Sequence, residues 1–314
     1  MQKHLATRQA YGEALVELGR NNPNIVVLDA DLSKSTYTVK FAKEFPDRFF
    51  NAGVAEANMI GIAAGLATCG FIVFASTFAI FATQRALNQI FQSIAYPELN
   101  VKIAASHAGI TVGEDGASHQ SVDDISIMRT IPGMTVIVPA DVTEAYQATI
   151  AVARYFGPVY LRLSRAPTPQ ILPNEYMFKI GKAYVLKEGS DVTIIACGTM
   201  VYSAMVAAEK LSSHGINAEV INMSTIKPID KETLLNSVKK TGCVVTAEEH
   251  SIIGGLGSAV SEVLSEEYPC PVKKIGIKDQ FGQSGKPEEL LKYYGLTSDD
   301  IVEATLSLKE VPNK

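Results

Sequence analysis

The chain has 314 residues, with 28 Lys and Arg against 33 Asp and Glu, a net charge of −5. Its composition, 47% hydrophobic and 19% charged, excludes a disordered tail and lets two domains each bury a core. A mildly acidic balance lacks the basic stripe that nucleic-acid binding needs, and no apolar run reaches the ~18–20 residues of a membrane span.

The N-terminus MQKHLATRQAYGEAL has no apolar signal core. Four dispersed cysteines without a C-x-x-C pair fit free thiols in a reducing cytosol, so the expected setting is cytoplasmic.

Short β-rich runs alternate with helical patterns. Strands are predicted at 24–30, 71–77, 101–106, 134–140 and 158–164, with helices at 55–68, 79–95, 121–131 and 141–156. Near-continuous apolar strands separated by helices predict a mainly parallel sheet covered on both faces. Residues 166–187 hold several prolines and little periodicity, and read as a linker. Alternation resumes with strands at 191–198, 218–223, 243–249 and 272–277 and helices at 200–214, 231–241, 255–267 and 286–294. The expected architecture is two doubly wound α/β domains, at 1–165 and 188–314, the second smaller.

In open α/β sheets ligands bind beyond the carboxyl ends of the strands. The polar clusters there are DADLSKST (29–36), NAGVAEAN (51–58), SHAGITVGEDGASHQS (106–121) and LSRAP (163–167), all in the first domain. The longest holds His107 and His119, the acid pair Glu114–Asp115 and three glycines. Imidazoles suit proton transfer near neutral pH, and Asp115 suits a hydrogen bond to a hydroxyl. On spacing alone, a polar surface loop is an equal reading, and a two-histidine metal site lacks a third ligand at a suggestive spacing. Glu56 near a helix start is, by itself, ordinarily a dipole-stabilising residue. Phe78 and Phe81, three apart, are ordinarily core unless a flat ring has to be held. The glycine-rich turn in EEHSIIGGLGSAVSE reads as tight packing rather than anion binding, since it lacks a following Lys.

Taken in order, ATRQA, DADLSKST, GVAEAN, STFAIF, GEDGASHQ, PGMTVIVPAD, LRLSR and AEEHSIIGGLGSAVSE resemble the transketolase family over nearly the whole chain. The resemblance implies a thiamine-diphosphate pyrimidine-binding fold at 1–165 and a transketolase C-terminal-type domain at 188–314. It also exposes an absence. Whole transketolases begin with a domain that grips the cofactor diphosphate through Mg²⁺, marked by a G-D-G motif that this sequence does not contain. The implied protein is the small subunit of a split transketolase. Its partner, the N-terminal diphosphate-binding subunit, would hold most of the Mg²⁺ and diphosphate, in a dimer of heterodimers.

By the same resemblance, Glu56 is the carboxyl that hydrogen-bonds the aminopyrimidine ring nitrogen of thiamine diphosphate. Phe81 stacks on that ring, Phe78 lines the pocket, and Asp31 and Leu32 border the cofactor. Gln84 stands where some family members have tyrosine, which leaves the outer wall of the pocket open. Asp115, His119 and His107 face the ketose, and Arg8, Ser35 and Arg165 match phosphate-binding positions, in keeping with guanidinium forks recognising phosphate. The expected activity is transfer of a two-carbon ketol unit between sugar phosphates, as in the pentose phosphate pathway. Rival readings are a deoxyxylulose-phosphate synthase, the β subunit of a 2-oxo-acid dehydrogenase E1, a transketolase-like enzyme working on an unusual sugar phosphate, and a scaffold protein that has kept the fold.

Overall fold

The structure, a computed structural model, describes residues 4–173 and 175–309. In chain order the strands are β1 (His4–Leu5), β2 (Ile25–Asp29), β3 (Phe49–Asn51), β4 (Ile72–Phe78), β5 (Val101–Ser106), β6 (Thr135–Ile137) and β7 (Val159–Arg162). Then come β8 (Thr168–Pro169), β9 (Tyr184–Lys187), β10 (Val192–Ala196), β11 (Ala218–Asn222), β12 (Thr225–Lys227), β13 (Val244–Ser251) and β14 (Val272–Ile277).

Two sheets organise the protein. The first runs β12-β6-β7-β5-β4-β2-β3 and the second β14-β13-β10-β11-β9. Every pairing in the first sheet is parallel except β12 with β6. Strands β2, β5, β7, β10 and β11 are buried along their whole length, as expected when helices cover both faces. One face of the first sheet carries the helix Glu56–Thr68, through Met59, Ile60 and Ala63. The other carries the helices Thr7–Asn21 and Val142–Arg154, which pack together through Tyr11, Leu15, Ala148 and Val152.

Several elements differ from the sequence expectation. The helix Thr7–Asn21 was not anticipated, nor was the terminal helix Ser298–Lys309. The predicted helix over 79–95 breaks at Ala86 into Ala79–Arg85, Leu87–Gln89 and a π-helical turn Ile90–Ala95. The segment 166–187 contains two strands. Thr168–Pro169 pairs with β1, and Tyr184–Lys187 forms the antiparallel edge of the second sheet.

The two halves of the chain are joined through backbone as well as side chains. Strand β12, from the second half, closes the edge of the first sheet against β6. Beside it, Lys227 Nζ donates to the Arg129 carbonyl at 2.9 Å. Arg162 and Asp124 form a buried bidentate pair, Nε–Oδ2 2.7 Å and Nη2–Oδ1 3.1 Å, and Arg162 Nη2 also donates to the Glu249 carbonyl at 3.0 Å. The glycine-rich turn before the helix Leu256–Glu267 meets a carboxylate of the chain itself. Glu248 accepts from the amides of Leu256 and Gly257 at 2.7 and 2.8 Å. Among the described residues no helix is long and apolar enough to cross a membrane.

Candidate active site

Registers align the carboxyl ends of the central strands. Asp29 pairs across to Ser76, Phe78 to Ser106, and Ala105 to Arg162. The side chains beyond this edge come from the segments that follow β2, β4, β5 and β7, from the helix Thr7–Asn21, and from the start of Glu56–Thr68.

After β2, the buried Asp29 carboxylate organises the turn. It accepts from the Leu32 amide and from the hydroxyls of Thr36 and Thr38, at 2.7 and 2.9 Å for the hydroxyls. Burial still raises its titration above the ordinary carboxyl range, against those donors. Asp31 has a left-handed backbone, φ 65°, and its carboxylate accepts from Asn51 Nδ2 at 2.9 Å. Leu32 is half-buried beside it.

A row of flat groups follows. His107 stacks on Phe78, with centroids 3.7 Å apart and planes 19° from parallel. Phe78 lies against Phe81, 5.6 Å apart and 12° from parallel. The Arg85 guanidinium lies over the Phe81 ring at 4.2 Å. From there Arg85 Nη1 donates to Glu56 Oε1 at 3.1 Å. Glu56 is the first residue of its helix and is 3% exposed, whereas the Arg85 side chain is 51% exposed. His119 meets the edge of the row, 5.4 Å from Phe81, and its Nδ1 is 3.0 Å from Ser118 Oγ.

Cations gather at the other end. Arg8 Nη1 donates to the Ser35 carbonyl at 2.7 Å and lies 3.4 Å from His107 Nε2. An arginine can only donate, so His107 Nε2 is the acceptor and Nδ1 carries the proton, directed to Ser106 Oγ at 2.9 Å. Burial, followed by the fields of Arg8, Arg165 and His119, pushes His107 down to about 3. At neutral pH this ring is therefore a neutral hydrogen-bonding group. Arg165 donates to the Val112 carbonyl and stands 3.6 Å from Glu114 and 3.8 Å from Asp115. Asp115 is exposed. Arg8 Nε is buried with no hydrogen-bond partner.

Ser35 meets Arg8 through its backbone carbonyl. Gln84 donates to Asp123 Oδ2 at 2.7 Å and, with Ile80, Ala117 and Phe281, lines a 460 Å³ cleft against the second half of the chain. Among the described residues no three His, Cys, Asp or Glu side chains converge to hold a metal. A carboxylate beside an aromatic ring, with a planar cationic N–H donor lying on that ring and paired to the carboxylate, is a place shaped for a flat nitrogen heterocycle. Imidazoles and two guanidiniums beside it suit an oxygen-rich, anionic molecule.

Sequence comparison gives this geometry its family. Residues 3–170 match the transketolase pyrimidine-binding domain, and 181–301 match the transketolase C-terminal domain. The chain belongs to the transketolase family. A Methanocaldococcus jannaschii protein provisionally named transketolase C-terminal section is 57% identical over 94% of this chain and 93% of its own length. The 6-deoxy-6-sulfo-D-fructose transketolase subunit of Clostridium sp. is 46% identical over 98% of this chain and 95% of its own length. Among solved structures, a split-gene transketolase described as an inactive β4 tetramer superposes with a TM-score of 0.91. It is 56% identical and covers 97% of this chain and 98% of its own. This transketolase-family chain thus covers nearly the whole length of these two relatives and of the split-gene structure.

Two residues bonded to this candidate site were not singled out from the sequence, Arg85 to Glu56 and Glu249 to the loop at Thr111. Arg85 had a local signal, since it follows Phe81 by four residues and so shares a helix face with it. Glu249, whose carboxylate accepts from the Thr111 amide, had none, because 138 residues separate the two.

Proposed function

We propose that this chain is the pyrimidine-binding subunit of a split, thiamine-diphosphate-dependent transketolase. With a separate subunit holding the diphosphate and Mg²⁺, it transfers a two-carbon ketol unit from a ketose phosphate to an aldose phosphate. The observation that carries the reading is Glu56, buried at a helix start and bonded to a planar cation that rests on Phe81. The guanidinium occupies the kind of place an aminopyrimidine would take.

Thiamine diphosphate, when bound, supplies a nucleophilic carbon that accepts the two-carbon unit. Glu56 would hold a proton at the pyrimidine ring nitrogen, with Arg85 withdrawn toward solvent. Phe81 would stack on that ring and Phe78 would back it, with Asp31 and Leu32 bordering the pocket. His119 would hydrogen-bond the oxygens of the transferred unit, and Asp115 a sugar hydroxyl. His107, neutral, would accept or donate a hydrogen bond without changing charge. Arg8 and Arg165 would bind the anionic end of the sugar, with Ser35 orienting Arg8. A relative named for a sulfonated fructose supports an anionic sugar, because sulfonate and phosphate present similar tetrahedral oxyanions to a guanidinium.

The test is co-purification with the partner subunit, followed by assay with thiamine diphosphate and Mg²⁺. Ketol transfer from xylulose 5-phosphate or a 6-sulfo ketose supports the proposal. Deoxyxylulose phosphate formed from pyruvate, or acyl transfer to lipoamide, would replace it with a rival. In the active pair, Glu56→Ala should abolish turnover without unfolding either chain, and near-normal rates in that variant would end the proposed mechanism.

A further inference from the structure

The loop 107–120 carries His107, Asp115 and His119, yet it rests on the second half of the chain. Three of its glycines have left-handed backbones: Gly109 at φ 80°, Gly113 at 84° and Gly116 at 76°. Each faces the second half. A Cβ on Gly109 would collide with the Glu249 carboxylate, one on Gly116 would meet Ser284 Oγ, and one on Gly113 would sit against Pro287 and the Gly285 carbonyl. Gln120 Nε2 ties the same loop together. It donates to the carbonyls of Ile110 and Gly113 at 3.1 and 3.3 Å, and to that of Gln283 at 2.9 Å.

Glu249 stands out among these contacts. It is buried at 3% exposure, and both carboxylate oxygens are committed. Oε1 accepts from the Thr111 amide at 2.7 Å and Oε2 from the Thr199 hydroxyl at 2.8 Å. Its own carbonyl accepts from Arg162, which the Asp124 pair holds rigid. A fixed, charged acceptor therefore sits under the segment between His107 and Asp115. Surface packing does not require a buried carboxylate there, since burying an ion is costly unless its bonds are well made.

We infer that Glu249 is a positioning residue for the active-site loop: the second domain acts as the mould that holds His107, Asp115 and His119 in register with the aromatic row, and the Thr111–Glu249 bond is its anchor. The functional consequence rests on the proposed transketolase reading, whereas the structural consequence does not. Misplacing reacting groups by about 1 Å can cost 10²-fold in rate.

The experiment compares the full chain with Glu249→Ala and Glu249→Gln. The first readout is amide hydrogen exchange. The Ala variant should raise exchange across 109–115 at least tenfold while the second-sheet core at 192–196 keeps wild-type protection. The Gln variant, whose Oε1 can still accept from Thr111, should restore protection. The second readout is turnover with the partner subunit. There kcat should fall ten- to hundredfold in the Ala variant and return to within about threefold in the Gln variant. Unchanged exchange at 109–115, exchange raised equally at 192–196, or a Gln variant as impaired as Ala would overturn the inference. If the wild-type pair shows no ketol transfer, the functional reading fails and the exchange pattern alone decides the anchor. If the Ala variant does not fold, Glu249→Asp draws the carboxylate back by one methylene and breaks the same contact without touching the loop. It must show the same local exchange, and normal protection there overturns the inference equally.

Discussion

Lowering the pH from 7 to 5 should destabilise the protein through His107. In the native state this ring is buried, holds its proton on Nδ1 toward Ser106, and accepts at Nε2 from Arg8. Its native titration lies at about 3, against an ordinary value of 6.5. Between those values the unfolded chain binds a proton that the native chain refuses. Stability therefore rises with pH in this window. The contribution is complete above the unfolded value and is lost as pH falls from 6.5 toward 3. Each unit corresponds to about 1.4 kcal/mol, so the full window is worth about 5 kcal/mol and the part above pH 5 about 2 kcal/mol.

The variant His107→Asn removes the titration and tolerates the left-handed backbone at φ 56° better than most residues would. Urea unfolding of both proteins, at one fixed concentration and in buffers free of phosphate and sulfate, gives the difference in stability at each pH. Oxyanions are excluded because one bound near Arg8 and Arg165 would favour the protonated ring. The wild-type advantage at pH 7 should shrink by about 2 kcal/mol at pH 5. Parallel stability profiles for the two proteins would show that His107 is not held neutral by its surroundings.

Arg162→Leu should lower stability by about 3–5 kcal/mol, read from the urea midpoint, because it leaves the fully buried Asp124 with Tyr160 as its remaining strong donor. Adding Asp124→Leu should recover part of that loss, and additive losses would contradict the pairing. In the assembled enzyme, Arg165→Leu should raise KM for a phosphorylated donor ten- to hundredfold, the equivalent of losing about 1.5–3 kcal/mol of charge-assisted bonding. The stability change for that variant should stay under about 1 kcal/mol, since the side chain is a third exposed. An equal KM change for an unphosphorylated donor would remove Arg165 from phosphate recognition. Arg85→Met keeps a long apolar stem over Phe81 but removes the cation beside Glu56. It should tighten binding of thiamine diphosphate to the assembled pair, measured by fluorescence titration, whereas weaker binding would make Arg85 a cofactor contact.

The parallel sheets were legible along the chain, since buried strands such as Ile25–Asp29 and Val101–Ser106 carry their apolar pattern within a few residues. The sequence also marked the segment 106–121 as chemically unusual and, through motifs in order, placed Glu56, Phe78 and Phe81 in one candidate site. The helix Thr7–Asn21 escaped because its sequence is polar on average, although Tyr11, Ala14 and Leu15 on one side are fully buried. Which groups meet was settled by folding. Burial, a sum over neighbours from distant segments, turned His107 from a residue of neutral titration into one held uncharged. The edge strand Thr225–Lys227 crossed to the first sheet because its partner at Thr135–Ile137 lies near it in space, not in sequence. Glu249 reached Thr111 for the same reason. Periodicity and motif spacing report on a chain's neighbours along its length, while desolvation and long-range hydrogen bonds depend on neighbours that folding alone supplies.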